Sequence, residues 1–399
     1  MDSRDVMSGE AWRSFCRRMS AVGDRILADD FPTDPHERAE GYRHLANQVA
    51  CWLTYAIGHT DPEHPQFFRS SDLVYQWGGP NANQVTRRAR ISGDGTYRIS
   101  GNMGACEEFV LQVKLGGTQS DGADIATELS ASDLGIGPDD DFEIVLAPEE
   151  RVGQDDPASA HHVRLDPDAT FVHIRDYYFG WQPLEPATFV IERLDTQGAH
   201  AAPLTGERVA AILDDAASEI EHSMVFWNEF QARMRSGQAL NQFGVPIPAG
   251  RGVQDILYSH AFVALKNDDA LIVEIDPSGA AWWDIQLYNR VWYEALDSAN
   301  RATSLNHRLA HHSADGRVRV VISPTDPGVA NWIDTEGRPE VLATVRWFRP
   351  VEGRTVNVQQ VPITDVAGRL PVETPLVDPY ARRREIAQRS AHAAWRYRS

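Results

Sequence analysis

Apolar and polar positions follow two different rhythms along this chain. Near the N-terminus Trp12, Phe15, Met19, Val22 and Ile26 recur every three or four residues, and Tyr42, Leu45, Val49, Trp52, Leu53 and Ile57 repeat the pattern. That is the period of an amphipathic helix. Asp34-Pro35 offers a capping carboxylate followed by a proline suited to the first helical position, and Gly58 offers a stop. From about residue 72 the runs shorten and are broken by Gly, Asp and Pro, with extended segments predicted at 96–101, 108–114, 142–146, 162–165, 170–179 and 187–194. Helical spacing returns after Thr205, with Val209, Ile212, Leu213, Ala216, Ile220, Met224, Trp227, Phe230 and Met234 forming one apolar face. A second set of strands is predicted at 261–266, 270–275, 282–288, 317–323 and 341–349, followed by an Arg-rich helical tail beyond 375.

The expected fold class is therefore mainly β with helical additions. It divides into a helical N-terminal segment (1–70), a first β-sandwich domain (71–200), a connecting helix (201–240), a second β-sandwich domain (250–355) and a C-terminal extension (356–399). A faint internal echo accompanies it: Asp94-Gly95 and Asp315-Gly316 each precede a strand, and Val172-His173-Ile174-Arg175 is similar to Ala343-Thr344-Val345-Arg346. Two related sandwiches would produce such an echo, although alternating β sequence also produces it by chance.

One predicted strand differs between its two faces. Under a two-residue period Trp283, Ile285 and Leu287 point one way, while Trp282, Asp284, Gln286 and Tyr288 point the other. The first face is a core face. The second is either the lining of a ligand pocket, where a few polar groups orient an apolar molecule, or a solvent-facing strand with two ordinary aromatics.

Composition narrows the partners. The chain has 399 residues, 42% hydrophobic and 24% charged, enough for two or three domains. A net charge of -19 and a pI near 5.1 leave little basic surface for neutralising phosphates, so no nucleic-acid partner is expected. The basic run Arg382-Arg383-Arg384, with Arg389, Arg396 and Arg398 behind it, reads as a solvated helix end. Three widely spaced cysteines, Cys16, Cys51 and Cys106, support neither a disulfide framework nor a zinc site, which suits a reducing compartment. No leader-like pattern opens the chain and no apolar run approaches the ~20 residues needed to cross a bilayer, so a cytoplasmic protein with no membrane partner is expected.

The familiar catalytic signatures are missing: no phosphate-cradling Gly-rich loop with Lys, no GxSxG elbow and no HExxH. His161, His162, His173 and His260 are scattered, and Asp139-Asp140-Asp141 reads as an exposed turn, so neither a metal nor a cofactor is expected. Asp284 is the leading acid/base candidate, because aromatic neighbours would desolvate its carboxyl, with a salt bridge to Arg301 or Arg346 as its structural alternative. His307, one of three histidines in 307–312, is a candidate proton carrier. Asn331-Trp332, after Pro327-Gly328, reads as a lip closing one end of a sandwich.

The order of residues in the second β region is distinctive: Trp283 through Asn289, Asn300-Arg301, Asp315-Gly316, Ile322-Ser323-Pro324, Asn331-Trp332 and the run from Val345 to Pro350. It resembles the family called "domain of unknown function 1214", and the first half is similar to its long members through Gly41-Tyr42-Arg43-His44-Leu45, Tyr97-Arg98-Ile99-Ser100-Gly101 and Arg175-Asp176-Tyr177-Tyr178-Phe179. Two departures stand out: Gly180 replaces an acidic residue before Trp181, and Asn81-Ala82-Asn83-Gln84 stands where an Asn-Pro-Asp-like turn is usual. The resemblance implies a jelly-roll-like β-sandwich and homo-oligomers, with no agreed activity.

Two functions are thus expected. One is an enzyme without cofactor, a lyase, hydratase, isomerase or hydrolase acting on a hydrophobic aromatic, terpenoid or steroid-like substrate. Asp284, Tyr288, His307 and Arg301 would carry the chemistry, and Trp282, Gln286, Asn289, Asn331, Trp332, Arg346, Arg175 and Tyr177 would line the site. The other is a non-catalytic module that binds a sugar or lipid or assembles with partner subunits.

Overall fold

The computed structural model describes residues 3–28, 31–117, 124–149, 160–182, 184–248, 252–277, 279–350 and 355–397; most of the two acidic loops expected around 117–124 and 151–160, and Arg398, lie outside them. Helices Ser3–Met7, Glu10–Arg25 and Pro35–Gly58 open the chain. Asp34 caps the third as its position predicts, accepting from the backbone N–H groups of His36 and Glu37. The long helix Gly206–Ser236 follows the first set of strands, with the Thr205 hydroxyl accepting from the Arg208 N–H, and helix Pro379–Arg396 closes the chain.

The strands form four sheets in two pairs. In the first half a five-stranded sheet runs in the order Phe68–Ser71, Gln84–Arg90, Ala169–Tyr177, Glu108–Leu115, Ile125–Ser130, and a four-stranded sheet in the order His161–Arg164, Asp141–Ala147, Tyr97–Asn102, Thr188–Arg193. In the second half the five-stranded sheet is Ile247–Pro248, Ile256–Ala264, Glu340–Phe348, Trp282–Tyr288, Ser304–Asn306, and the four-stranded sheet is Trp332–Asp334, Val318–Ser323, Asp269–Ile275, Val356–Pro362. Taken in chain order, each strand occupies the same place in both halves. Even the parallel pair recurs, His161–Arg164 beside Asp141–Ala147 and Trp332–Asp334 beside Val318–Ser323.

The sequence echo agrees with this repeat only in part. The stretch 172–175 and the stretch 343–346 lie on equivalent strands, Ala169–Tyr177 and Glu340–Phe348. The two Asp-Gly pairs do not, since Asp94-Gly95 precedes the third strand of its half and Asp315-Gly316 the sixth.

The chain divides into two compact units, one of 1–77, 85–177 and 186–228, the other of 78–84, 178–185 and 229–399. Two short segments of the first β region, 78–84 and 178–185, therefore belong to the second unit.

The core of the second unit is the meeting of its two sheets. Trp283, Ile285 and Leu287 pack with Val345 and Trp347 of the neighbouring strand and with Leu271, Val273, Val318, Val320 and Ile322 of the opposite sheet, as the two-residue period predicts. Trp283 and Trp347 stand opposite each other in register and are both fully buried. In the first unit Phe109, Phe142 and Phe189 meet with ring centroids 5.3–5.7 Å apart.

Three expectations are corrected by burial. Trp12 is 57% exposed, and helix Pro35–Gly58 turns Tyr42 and Ile57 outward while it buries Glu40, His44 and Gln48. Its hidden face is polar in the first half, at Glu40, His44 and Gln48, and apolar in the second, at Cys51, Trp52, Tyr55 and Ala56. The C-terminal arginines are not all solvated either: among the described residues Arg382, Arg389 and Arg396, one per two helical turns, are buried, and Arg383 and Arg384 are exposed. Asn331-Trp332 is no loop lip, since Asn331 sits at φ 58° immediately before the strand Trp332–Asp334.

Candidate functional site

The outer row of the strand Trp282–Tyr288 is as buried as its inner row. Neighbouring strands set the register, Tyr258 opposite Arg346, Arg346 opposite Asp284, and Asp284 opposite Asn306. Over this row lie residues 79–83 and Phe179. Asp284 Oδ2 accepts from Asn81 Nδ2 at 2.5 Å and Asn83 Nδ2 at 3.0 Å, and Oδ1 accepts from Arg346 Nη1 at 3.2 Å. Arg346 Nη2 also donates to the Gly79 carbonyl at 3.1 Å and to the Tyr288 hydroxyl, which itself donates to the Pro80 carbonyl at 2.9 Å. Gln286 Oε1 accepts from the Ala82 N–H at 2.8 Å, and Asn306 Nδ2 donates to Asn83 Oδ1 and the Phe179 carbonyl.

The electrostatics follow from that arrangement. Burial pushes the Tyr288 phenol well above its ordinary value, so it stays protonated and donates. Burial alone would weaken the Arg346 cation, but Tyr288, Asp284, Tyr258 and Tyr293 outweigh it and the guanidinium is held more firmly charged than usual. Its carbon lies 5.5 and 5.4 Å from the ring centroids of Tyr258 and Tyr288.

Asp284, Tyr288, Gln286 and Arg346 are thus brought together as one network, with Asp284 paired to Arg346 rather than to Arg301. Trp282 stacks on Phe348 at 5.3 Å and meets Phe179 at 5.4 Å, and the His307 ring stands edge-on to Phe179 at 4.6 Å. Arg301 instead pairs with Asp334 at 2.7 Å. Asn289 ties its own turn, accepting from the N–H groups of Val291 and Trp292, and Asn331 braces the His311 backbone. Trp332 donates to Ser323 and packs under the Arg382 guanidinium at 5.1 Å. Arg175 and Tyr177 belong to the first unit, where Arg175 donates to Gln112. There the position equivalent to Asp284 is Val110, opposite Arg175, so the ionic row has no counterpart in the first unit.

Asn81 and Asn83 were missed by sequence reasoning; their signal was the Asn-x-Asn stretch noted above as a departure from the usual turn. A second missed feature adjoins them. A cavity of about 10 Å³ is lined by Asn83, Asn306, Ser298, Ser304, Trp181 and the side chains of Arg389, His392 and Arg396 from the last helix, with Leu305, Leu309, Tyr178 and Ala393 completing its wall. The signal was the seven-residue spacing of the arginines, which stacks them on one helix face.

Arg389 spends Nη1 and Nη2 on Ser304 and the Ser298 carbonyl, and its guanidinium lies 4.2 Å from the Trp181 ring centroid. Its Nε has no acceptor among the described residues, and neither has Arg396 Nε. Burial lowers Arg389 to about 10, still charged at neutral pH. Burial, together with Arg396 and Arg389, lowers His392 to about 4, so its ring is neutral. His392 Nδ1 lies 3.2 Å from the Gln182 carbonyl, a pure acceptor, so the proton sits on Nδ1 and Nε2 presents a lone pair. The wall holds no carboxylate. Among the described residues no cluster of His, Cys, Asp and Glu is suited to a metal ion, and no helix is long and apolar enough to cross a membrane.

Residues 265–352 match a family described as "Protein of unknown function (DUF1214)", as the motif order across this region leads one to expect. Among solved structures, an uncharacterized protein from Burkholderia cenocepacia is similar with a TM-score of 0.81 and 29% identity, over 91% of this chain and 99% of that one. The VPA0106 protein from Vibrio parahaemolyticus gives a TM-score of 0.46 and 14% identity, over 80% and 98% of the two chains. No curated protein matches the sequence.

Proposed function

For a chain whose residues 265–352 form a DUF1214 domain, we propose a binding role: the cavity beside the last helix takes a small hydroxycarboxylate. One observation carries the reading. Two buried guanidinium groups, each with an unsatisfied Nε, and a neutral histidine with a free lone pair line the same carboxylate-free cavity. A buried donor without an acceptor costs about 1–3 kcal/mol, and a carboxylate supplies the acceptors together with the opposite charge. His392 Nε2 asks instead for a donor. A hydroxyl next to the carboxylate meets that demand, whereas an ammonium would be repelled by Arg389 and Arg396. At about 10 Å³ the cavity holds about one water as it stands, so the proposed ligand requires the wall to open around it, with Trp181, Leu305 and Leu309 offering apolar surface to its carbon stem.

The acid/base enzyme reading centred on Asp284 draws less support, because each of its carboxylate oxygens already accepts from a buried donor. The test is calorimetric titration with a series of small carboxylates with and without a 2-hydroxyl, in the wild type and in Arg396→Gln. Saturable binding that prefers the hydroxy acids and is lost in the variant supports the role. Binding of none of them, or equal binding by Arg396→Gln, removes it.

A further inference from the structure

The first unit contains a second group of buried donors, on the outer face of its five-stranded sheet. Here His173 stands opposite Gln112 and Gln112 opposite Glu128, while the Ile91 N–H donates to the Thr170 carbonyl and aligns the strand of Arg88 alongside that of His173. Helix Pro35–Gly58 reaches this face through Trp52 and Tyr55. The Arg88 guanidinium lies 5.5, 5.6 and 5.6 Å from the ring centroids of Trp52, Tyr55 and Phe171.

Those rings attract the cation but accept no ordinary hydrogen bond. Arg88 Nε and Nη1, the Tyr55 hydroxyl and His173 Nε2 are all buried with no partner among the described residues, and Arg88 and His173 are each at least nine-tenths buried. Neighbouring carboxylates leave Arg88 Nε and Nη1 without an acceptor: Glu128 accepts from Gln112, Asp72 pairs with Arg69, and Glu219 acts on Cys51 and Tyr55 through its charge. Arg175 and Lys114 add positive field at His173. Buried guanidinium N–H groups without an acceptor are unfavourable, and an anion would supply both the acceptor and opposite charge.

We infer that the layer between helix Pro35–Gly58 and this sheet binds a small monovalent anion, held by the Arg88 guanidinium, the Tyr55 hydroxyl and His173 in its Nε2–H tautomer. The apolar cage of Trp52, Tyr55 and Phe171 favours a weakly hydrated ion of halide size over phosphate, which brings a second charge that this site leaves uncancelled.

Bromide is the probe. The full chain is melted in a sodium bromide series against sodium gluconate at matched ionic strength, and crystals soaked in bromide are measured at its absorption edge. The expected result is a saturable rise in Tm with bromide, together with an anomalous peak within hydrogen-bonding reach of Arg88. Tyr55→Phe, which removes one donor and little volume, weakens the apparent affinity several-fold, and Arg88→Gln by about tenfold or more. Arg396→Gln, in the other unit, retains the effect, so this site stands or falls separately from the hydroxycarboxylate cavity. If Arg88→Gln does not fold, Tyr55→Phe and the anomalous map decide. No bromide response beyond gluconate, a response unchanged in Tyr55→Phe, or no peak at Arg88 overturns the proposal.

Discussion

Arg346 faces Asp284 across two paired antiparallel strands, their side chains joined at 3.2 Å where both residues are almost completely shielded from water. Such a pair gains little over an apolar one but penalises the loss of either partner, because the survivor is a buried charge. Asp284→Asn is therefore expected to lower unfolding stability by about 3–5 kcal/mol. The double variant Asp284→Asn/Arg346→Met should be more stable than the single one. Urea unfolding of the wild type and the two variants measures this, and a double variant no more stable than Asp284→Asn would contradict it.

Gly79 contributes the carbonyl that receives Arg346, and it does so at φ +66°, with the Tyr293 ring 2.4 Å from the place a Cβ would occupy. Gly79→Ala is thus both strained and blocked. A fall in Tm of several degrees is expected, whereas Gly135→Ala, at φ +70° with open space around it, should cost less. Differential scanning calorimetry of both variants separates crowding from backbone strain.

Acid should act through two histidines, His260, which is half-buried, and His392, which is buried. Burial and the Arg346 charge hold His260 near 3, and burial with Arg396 holds His392 near 4, both below the ~6.5 of an unfolded chain. Between these values the unfolded state binds more protons, so stability is unaffected above about pH 6.5 and falls as the pH drops toward 4. Each unit of separation is worth about 1.4 kcal/mol. Urea midpoints from pH 7.5 to 4 should slope downward, and His260→Gln should flatten part of that slope; a parallel curve would count against a neutral His260.

The lone pair of His392 also makes a prediction about selectivity. A 2-hydroxy acid should bind about tenfold more tightly than the acid lacking the hydroxyl, the worth of one well-placed hydrogen bond to a buried acceptor. His392→Leu should erase that difference while leaving the shared carboxylate affinity to Arg389 and Arg396. Competition calorimetry reads both quantities.

The core of the second sandwich was legible because alternation is a local property. Trp283, Ile285 and Leu287 declare their face without knowledge of any partner. What covers the other face was not legible. Asn81 and Asn83 reach Asp284 across some two hundred residues of sequence from a segment with no periodicity, so nothing local links them. Helix Pro35–Gly58 was read correctly at Trp52 but not at Tyr42 and Ile57, for a related reason. Pattern reading assigns apolar residues to the inside, and here Glu40, His44 and Gln48 are inside as well, Gln48 donating to the Gln76 carbonyl and accepting from Trp52. The C-terminal arginines fail the same assumption, since guanidinium groups that stack on Trp181 and Trp332 are buried despite their charge.

The way the chain leaves one unit and returns to it has a practical result for anyone who would cut this protein apart. The segments 78–84 and 178–185 are stitched into the second unit from within the first half of the sequence. A fragment beginning at residue 229 keeps every strand of the second sandwich yet arrives without Gly79, Pro80, Asn81, Asn83 and Trp181. It would expose the row from Tyr258 to Asn306 as a naked ionic seam and open one wall of the neighbouring cavity. The recognisable stretch 265–352 is therefore a signature rather than a portable module, and grafting it onto another protein would transfer the label without the lid that makes it whole.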